Sequence, residues 1–160
     1  MVEVQIRKAN IDDSNTIMGF IIELARYEKA ENEVTTTVEE IEQNLFDENT
    51  TTEALICSVD GNPIGFAVYF LNFSTWLGKN GLYLEDLYIT PDFRGCGAGK
   101  KLLKYLAQHA VQNNCGRFEW SVLDWNEPAI KFYESIGAKP QSEWIGYRLQ
   151  GKSLSDFANS

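Results

Sequence analysis

The chain has 160 residues and a mass of 18.2 kDa, a length that fits one hydrophobic core. Hydrophobic residues make up 44% and charged residues 23%, which is typical of a globular fold and excludes a disordered or fibrous chain. The net charge of -9 opposes the polyanionic backbone of nucleic acids and suits a cationic small molecule, although acidity can also serve solubility alone.

The cysteines, the single histidine and the apolar runs exclude further classes of protein. Cys57, Cys96 and Cys115 lack the close spacing of a metal clamp, and one histidine cannot complete a typical zinc ligand set. Neither a metal nor a disulfide is therefore predicted. No signal-peptide pattern and no apolar run of membrane-spanning length is present. We expect one domain over residues 1–160, a cytoplasmic location, and neither a nucleic-acid nor a membrane partner.

The first half of the chain mixes strand and helix patterns. Thr37 and Glu40 have capping-box spacing, which predicts a short second helix after Thr37. Asp60-Gly61-Asn62-Pro63 predicts a hairpin turn between two β-rich runs. The other elements predicted here are a strand at 2–7, a helix from about 14 to 29, and strands at 54–59 and 64–73.

The second half continues with alternating strands and helices. Its predicted elements are a strand at 82–90, a helix at 97–114, a strand at 118–123, a helix from 126 to 137 and a last strand at 144–149. Residues 151–160 carry weak signals and stay unassigned. This order predicts an α/β fold with a mixed, mostly antiparallel sheet flanked by helices.

A glycine-rich loop, residues 94–101, lies between a predicted strand and a predicted helix. Its glycines allow close approach of backbone amides to an anion, and the helix start favours phosphate. The spacing fails the Walker A pattern, because position 101 is Lys and not Ser or Thr, and it also fails the dinucleotide fingerprint. A di- or polyphosphate ligand is implied, although a glycine turn that merely enters a helix would show the same pattern.

Several motifs together indicate a family. Arg94, Gly97 and Gly99 resemble the pyrophosphate-binding motif of the GNAT superfamily of N-acetyltransferases, and residues 126–138 resemble that superfamily's other acetyl-CoA-side element. Segments similar to the diamine (spermidine/spermine) and thialysine N-acetyltransferase branch are 23–28, 75–79 and 82–87. The resemblance implies a GNAT fold, a homodimer, acetyl-CoA as cosubstrate without a metal, and direct acetyl transfer to a primary amine of a small cationic acceptor.

Two acids, Glu85 and Asp86, lie within a predicted apolar strand. Strand alternation predicts Glu85 on the face of Leu87 and Asp86 on the face of Leu84. Because an unpaired buried carboxylate costs several kcal/mol, each acid needs a partner or a purpose. Glu85 is expected to attract the ammonium group and to take its proton, directly or through water. A structural acid paired with a neighbouring strand is the alternative.

The resemblance assigns the other roles. Tyr133 would donate a proton to the leaving coenzyme A sulfur, and Tyr27 and Glu28 would join Glu85 in binding the acceptor. From the pattern alone, Tyr133 is core packing, and Tyr27 and Glu28 are a solvated helix end. The residues expected to bind acetyl-CoA are Leu87, Tyr88, Ile89, Arg94, Gly95, Cys96, Gly97, Ala98, Gly99, Lys100, Asn126, Glu127, Pro128 and Tyr133.

Other chemistries remain open at this point. An acetyl-cysteine intermediate at Cys96 is disfavoured because no histidine neighbours it, and a hydrolase triad could use only His109. Within the fold, the acceptor could instead be an antibiotic or a protein amine, or the chain could be a non-catalytic acyl-CoA-binding regulator. Ser74 stands where relatives that acetylate polyamines tend to have Asp, which favours a diamine or a lysine-like amino acid.

Overall fold

The structure is a computed structural model that describes residues 2–160. Its strands and helices are β1 (Val4–Lys8), α1 (Ser14–Tyr27), α2 (Val38–Leu45), β2 (Thr52–Val59), β3 (Asn62–Ser74), β4 (Lys79–Ile89), α3 (Ala98–Gln112), β5 (Arg117–Glu119), α4 (Glu127–Ser135) and α5 (Gly151–Ala158). Within the described residues no helix is both long and apolar enough to cross a membrane.

The sheet has five strands in sequence order over the described part of the chain. The pairs from β1 to β4 are antiparallel, and β5 joins β4 in parallel. This arrangement confirms the predicted mixed, mostly antiparallel sheet. The predicted hairpin turn is also confirmed, because Asp60 and Gly61 adopt the positive φ angles, 50° and 77°, that a tight two-residue turn requires.

One hydrophobic cluster joins α1 and α2 to one face of the sheet. The ring of Phe20 on α1 stacks on Phe66 of β3 at 5.6 Å and lies 6.1 Å from the ring of Tyr88 on β4. Such ring pairs stabilise a core beyond the area that they bury. The buried members of the cluster are Ile17, Phe20, Ile41, Ala54, Ile56, Phe66 and Tyr88. The cluster thereby places the end of α1 beside the end of β4.

An ion pair fixes the start of α1 against β1. The two terminal nitrogens of Arg7 donate to the two carboxylate oxygens of Asp13 at 2.7 and 2.8 Å. Asp13 also accepts the backbone N–H of Asn10 at 2.8 Å. These hydrogen bonds, the one from Arg7 foremost, lower the pKa of Asp13 although the residue is buried. The first turn of α1 is therefore held against β1.

Gly65 allows β3 and β4 to approach each other closely. A Cβ atom at this position would lie 2.3 Å from the carbonyl oxygen of Tyr88 and 2.6 Å from Cδ1 of Ile89. Both distances are shorter than real Cβ contacts, so a larger residue would force the strands apart. Gly65 thus fixes the end of β4 from which the glycine-rich loop departs.

The chain divides into two compact units, the first ending at Ser121 and the second running from Val122 to Ser160. The second unit contains α4, with Pro128 in its first turn, and α5, which the sequence left unassigned. Asn126 occupies the N-cap position of α4 without a capping side-chain bond.

Two predicted strands differ from the structure. The strand expected at 118–123 is only Arg117–Glu119, and the strand expected at 144–149 is wrong, because those residues form neither helix nor strand. A strand needs a neighbour to satisfy its backbone groups, and alternation along one segment does not supply that neighbour. Trp144, Ile145 and Tyr147 are instead 67%, 77% and 94% exposed.

Candidate active site

A β-bulge in β4 decides where its two acids point. Val68 of β3 pairs with Asp86, but the next residue, Tyr69, pairs with Leu84, so Glu85 is an extra residue on β4. Val68 packs against the α1 and α2 cluster, which places Asp86 on that face of the sheet. The expectation that Asp86 shares a face with Leu84 is therefore wrong, because alternation breaks at the bulge.

Three carboxylates gather where β4 and α1 end. Asp86 is half-buried, Glu85 is exposed at the bulge, and Glu28 directly follows α1. Burial, and then the charges of Glu85 and Glu28, raise the pKa of Asp86 to about 6. Burial also raises the pKa of Glu28. The cluster forms a local site of negative charge that suits a cationic ligand.

The glycine-rich loop leads from β4 into α3. Gly95 and Gly97 have φ angles of 80° and 86°, a left-handed conformation that other residues rarely adopt. A Cβ atom on either glycine would meet nothing within 4 Å, so the space beside the loop is open. Gly97 is the N-cap of α3 and has no side chain to cap the helix. The first amides of a helix have no intrahelical acceptor, so they can bind an anion here.

The other polar side chains of the loop have distinct positions. The Cys96 thiol is exposed and donates to the carbonyl oxygen of Phe93 at 2.9 Å. Lys101 does not face the loop, because its Nζ donates to the carbonyl oxygen of Val4 on β1. Lys100 is exposed at the first turn of α3. Lys100 can therefore add positive charge where the open amides lie.

Arg94 connects the loop to the end of α1. Its Nε donates to the carbonyl oxygen of Ile89 at 2.9 Å. Its guanidinium carbon lies 5.0 Å from the ring centroid of Tyr27 and 5.3 Å from that of Tyr88. Both distances are within the range of cation–π attraction. Three residues expected at the site, Arg94, Tyr27 and Tyr88, are thus brought together.

The end of β4 has an open backbone edge. β5 pairs with β4 only at residues 81–83, so among the described residues no strand covers the β5 side of residues 87–89. Unpaired strand amides and carbonyls bind an extended ligand as a further strand would. A pantetheine chain, which has amide groups of this kind, fits such an edge.

The remaining expected residues lie in the second unit. Tyr133 on α4 is half-buried, and its ring lies 5.8 Å from that of Phe132. Glu127 is mostly exposed and is paired with Lys131 at 3.9 Å. Pro128 begins the helix beside them, and Asn126 precedes it.

His109 lies on a different face of the sheet. It packs edge-on against Tyr69 at 5.6 Å, and the Tyr69 hydroxyl donates to Glu53 at 2.6 Å. Because Tyr69 pairs with Leu84, this group lies opposite Asp86 on the sheet. His109 is therefore separated from the carboxylate cluster by the sheet, which argues against a role for it in a hydrolase triad there.

The sequence profile described as the acetyltransferase (GNAT) family matches residues 13–138. The chain belongs to this family. It is an N-acetyltransferase with the GNAT fold, and the family uses acetyl-CoA as cosubstrate. The predicted membership of the GNAT superfamily is thereby confirmed.

Named relatives of this GNAT chain can be compared over most of its length. Thialysine N-epsilon-acetyltransferase of Sus scrofa is 35% identical over 169 residues, which cover 99% of both chains. L-ornithine N5-acetyltransferase NATA1 of Arabidopsis thaliana is 44% identical over 90 residues, covering 56% of this chain and 40% of that protein. The integron cassette protein VCH_CASS6 of V. cholerae superposes with a TM-score of 0.84 at 29% identity, covering 98% of both chains.

Asp86 is the residue at this site to which sequence reasoning assigned no role. The available signal was an acid next to Glu85 in an apolar strand, but the bulge that separates the two acids is a property of strand pairing. Its half-buried position among other carboxylates gives it a cost in stability that a surface acid would lack.

Replacing Asp86 by asparagine is expected to increase the free energy of unfolding near pH 8 by up to about 3 kcal/mol. The folded-state pKa lies above the unfolded value of 3.8, so the wild type loses stability as the pH rises from 3.8 to about 6, and the variant does not. Urea unfolding across this pH range measures the difference, which should vanish below about pH 4. Asp124→Asn, at an exposed residue that does not act on Asp86, is the matched control and should change stability little at any of these pH values. Equal stability of the Asp86→Asn variant and the wild type throughout would contradict the assignment.

Proposed function

We propose that this N-acetyltransferase moves the acetyl group of acetyl-CoA directly onto a primary amine of a small cationic acceptor. The observation that carries the proposal is the carboxylate cluster of Glu28, Glu85 and Asp86 beside a glycine loop suited to phosphate. An ammonium-bearing acceptor and a polyphosphate cosubstrate need opposite charges close together, and these two features supply them. The proposal treats residues 1–160 as one catalytic domain, which is supported by the family match at residues 13–138 and by the Sus scrofa relative, whose alignment covers 99% of this chain.

The reaction needs a neutral amine, a stabilised oxyanion and a proton for the leaving thiolate. Glu85 takes a proton from the ammonium group, directly or through water, and the free amine attacks the thioester carbonyl. The C–N bond forms, the C–S bond breaks, and Tyr133 donates its phenolic proton to the sulfur. The nitrogen then loses its second proton to water, and a proton from water restores the Tyr133 phenol. Open backbone amides in the range 87–89 bind the oxyanion.

The cosubstrate is held by backbone groups more than by side chains. The amides at Gly97–Lys100 bind the pyrophosphate, with Gly95 and Cys96 shaping the loop before them. The open edge at 87–89 binds the pantetheine chain. The family resemblance also assigns residues 126–128 and Tyr133 to binding of acetyl-CoA.

The acceptor is proposed to be a diamine or a lysine-like amino acid, bound by Tyr27, Glu28 and Glu85. Two named relatives act on such molecules, thialysine and L-ornithine. Ser74 is buried, and its Oγ accepts the backbone N–H of Leu77 at 3.2 Å. It therefore serves the turn between β3 and β4 and adds no negative charge for the further ammonium groups of a polyamine. A lysine-like acceptor also has a carboxylate that needs a cation, and Arg26, the residue before Tyr27, already forms an ion pair with Glu31 at 2.8 Å.

We further propose that the enzyme works in the cytoplasm, where acetyl-CoA is available. Its cysteines, Cys57, Cys96 and Cys115, are free thiols, which agrees with a reducing compartment. The net charge of -9 makes nucleic acid an unfavourable partner.

The acceptor class is tested by thiol release from acetyl-CoA with thialysine, lysine, ornithine, putrescine, spermidine and spermine. We expect kcat/KM for thialysine or ornithine to exceed that for spermine by about tenfold or more, because the three carboxylates lie in one cluster and Ser74 adds no negative charge for the further ammonium groups of spermine. Preference for spermine would contradict the acceptor proposal. Tight acetyl-CoA binding without turnover on any amine would favour a protein or antibiotic acceptor, or a regulator.

The proton donor is tested by Tyr133→Phe. Removing the phenolic hydroxyl should lower kcat by about a hundredfold, because a positioned general acid contributes on that scale, and should leave the dissociation constant of acetyl-CoA almost unchanged. Tyr105→Phe is the matched control, since Tyr105 on α3 is exposed and has no assigned role, and it should retain full activity. Retention of wild-type kcat by the Tyr133→Phe variant would exclude the assigned role.

We also propose that the enzyme is a homodimer in which a second copy covers residues 144–149. Trp144, Ile145 and Tyr147 are 67% to 94% exposed in the single chain, and Leu149 is 49% exposed. Adjacent exposed apolar residues of this size favour an interface, and another copy presents the same segment in return.

Sedimentation analysis tests the dimer. The wild type should sediment at twice the monomer mass of 18.2 kDa, and Ile145→Asp should shift it toward the monomer because the substitution places a charge in the interface. Val111→Asp is the matched control, since Val111 on α3 is 78% exposed and is expected to lie outside the interface. A monomeric wild type at micromolar concentration would exclude the proposal.

A further inference from the structure

Arg94 begins the glycine loop, but its side chain is directed to the end of α1. The guanidinium lies over Tyr27 at 5.0 Å and over Tyr88 at 5.3 Å, and Nε is bonded to the carbonyl oxygen of Ile89. A side chain whose only task was to add charge for a pyrophosphate would not need these three contacts. The position of Arg94 instead matches that of a brace between two elements.

A carboxylate on α1 completes this group. Glu23 lies one helical turn before Tyr27, and its charge acts on the Tyr88 hydroxyl. Within residues 2–160, the Oε2 atom of Glu23 is buried and has no hydrogen-bond partner. Burial and Glu23 raise the pKa of Tyr88, and Arg94 opposes that shift. Glu23 of α1 and Arg94 of the loop therefore act on the same Tyr88 hydroxyl in opposite directions.

The two ends of the brace belong to different binding sites. Tyr27 and Glu28 lie at the acceptor end, whereas residues 95–100 form the phosphate loop. We propose that Arg94 is a positioning residue that couples these two sites, so that occupation of the loop by acetyl-CoA orders the last turn of α1 for the acceptor. The identity of the acceptor rests on the proposed function, but the coupling of the loop to the last turn of α1 through Arg94 does not.

The coupling follows from how the contacts are shared. A ligand that fixes the loop backbone also fixes the starting point of the Arg94 side chain, because the two are adjacent in the chain. The Tyr27 ring is 41% exposed, and the guanidinium covers one of its faces. Ordering the guanidinium therefore restricts the ring and the helix end that carries it. By linkage, the acceptor must strengthen acetyl-CoA binding by the same factor.

Hydrogen–deuterium exchange tests the link without any acceptor. We expect acetyl-CoA to slow exchange in peptides spanning residues 21–30 of the wild type, and Arg94→Lys to lose most of this protection although it keeps the charge. Lys100→Gln is the matched control: it removes a cation from the same loop without touching the brace. At saturating acetyl-CoA the Lys100→Gln variant should retain the slowed exchange at residues 21–30. Tyr27→Leu removes the aromatic ring that the Arg94 guanidinium contacts. This variant should lose the protection as Arg94→Lys does.

Steady-state kinetics provides the second measurement. Arg94→Lys should raise the acceptor KM by about threefold, the scale of a cation–π contact at an exposed site, and should remove the effect of the acceptor on the acetyl-CoA dissociation constant. Lys100→Gln should raise the KM of acetyl-CoA and leave the KM of the acceptor unchanged. Undiminished protection in Arg94→Lys, or no protection of residues 21–30 in the wild type, overturns the inference. Failure of every amine to react would refute the proposed function instead, and the exchange result would still decide the coupling.

Discussion

The pairing of β3 with β4 is the constraint from which the site follows. The two strands approach closely at Gly65, where only a hydrogen atom fits against the Tyr88 carbonyl, and they lose register at Glu85. The close approach fixes the end of β4, and therefore the direction in which the glycine loop leaves the sheet. The bulge turns Asp86 toward α1 and leaves Glu85 exposed. One strand pair thus sets the position of both charged parts of the site.

The site combines opposite charges within a short distance. Glu28, Glu85 and Asp86 form a negative region, whereas the loop offers helix amides and Lys100. Without ligands, the negative region lowers the stability of the fold, because like charges repel and buried carboxylates lose hydration. The loop amides and Lys100 lack an anion to bind. A cationic acceptor and an anionic cosubstrate each relieve one of these costs. The arrangement explains why an acidic chain can still hold a polyphosphate.

The sequence predicted the sheet, the hairpin turn and the glycine loop, because each depends on local spacing that the residues themselves carry. It did not predict the facing of Asp86, since a bulge arises from the register between two strands. It also overextended the strand at 118–123 and placed one at 144–149, because alternation cannot supply the neighbour that a strand requires. The orientation of Arg94 was missed for a similar reason: the motif gives its place in the loop, but the rings that it covers come from α1 and β4.

The raised pKa of Asp86 also has a consequence for the thermodynamics of ligand binding. Near pH 6 this carboxyl holds a proton in part of the molecules, and a bound ammonium group beside it would favour the ionised form. Acceptor binding would then release a fraction of a proton to the solvent. The heat measured in a calorimeter would include the ionisation of the buffer, and it would differ between phosphate and imidazole solutions of the same pH. A charge that weakens the folded chain would in this way make the enzyme's affinity for its acceptor depend on the acidity of its surroundings.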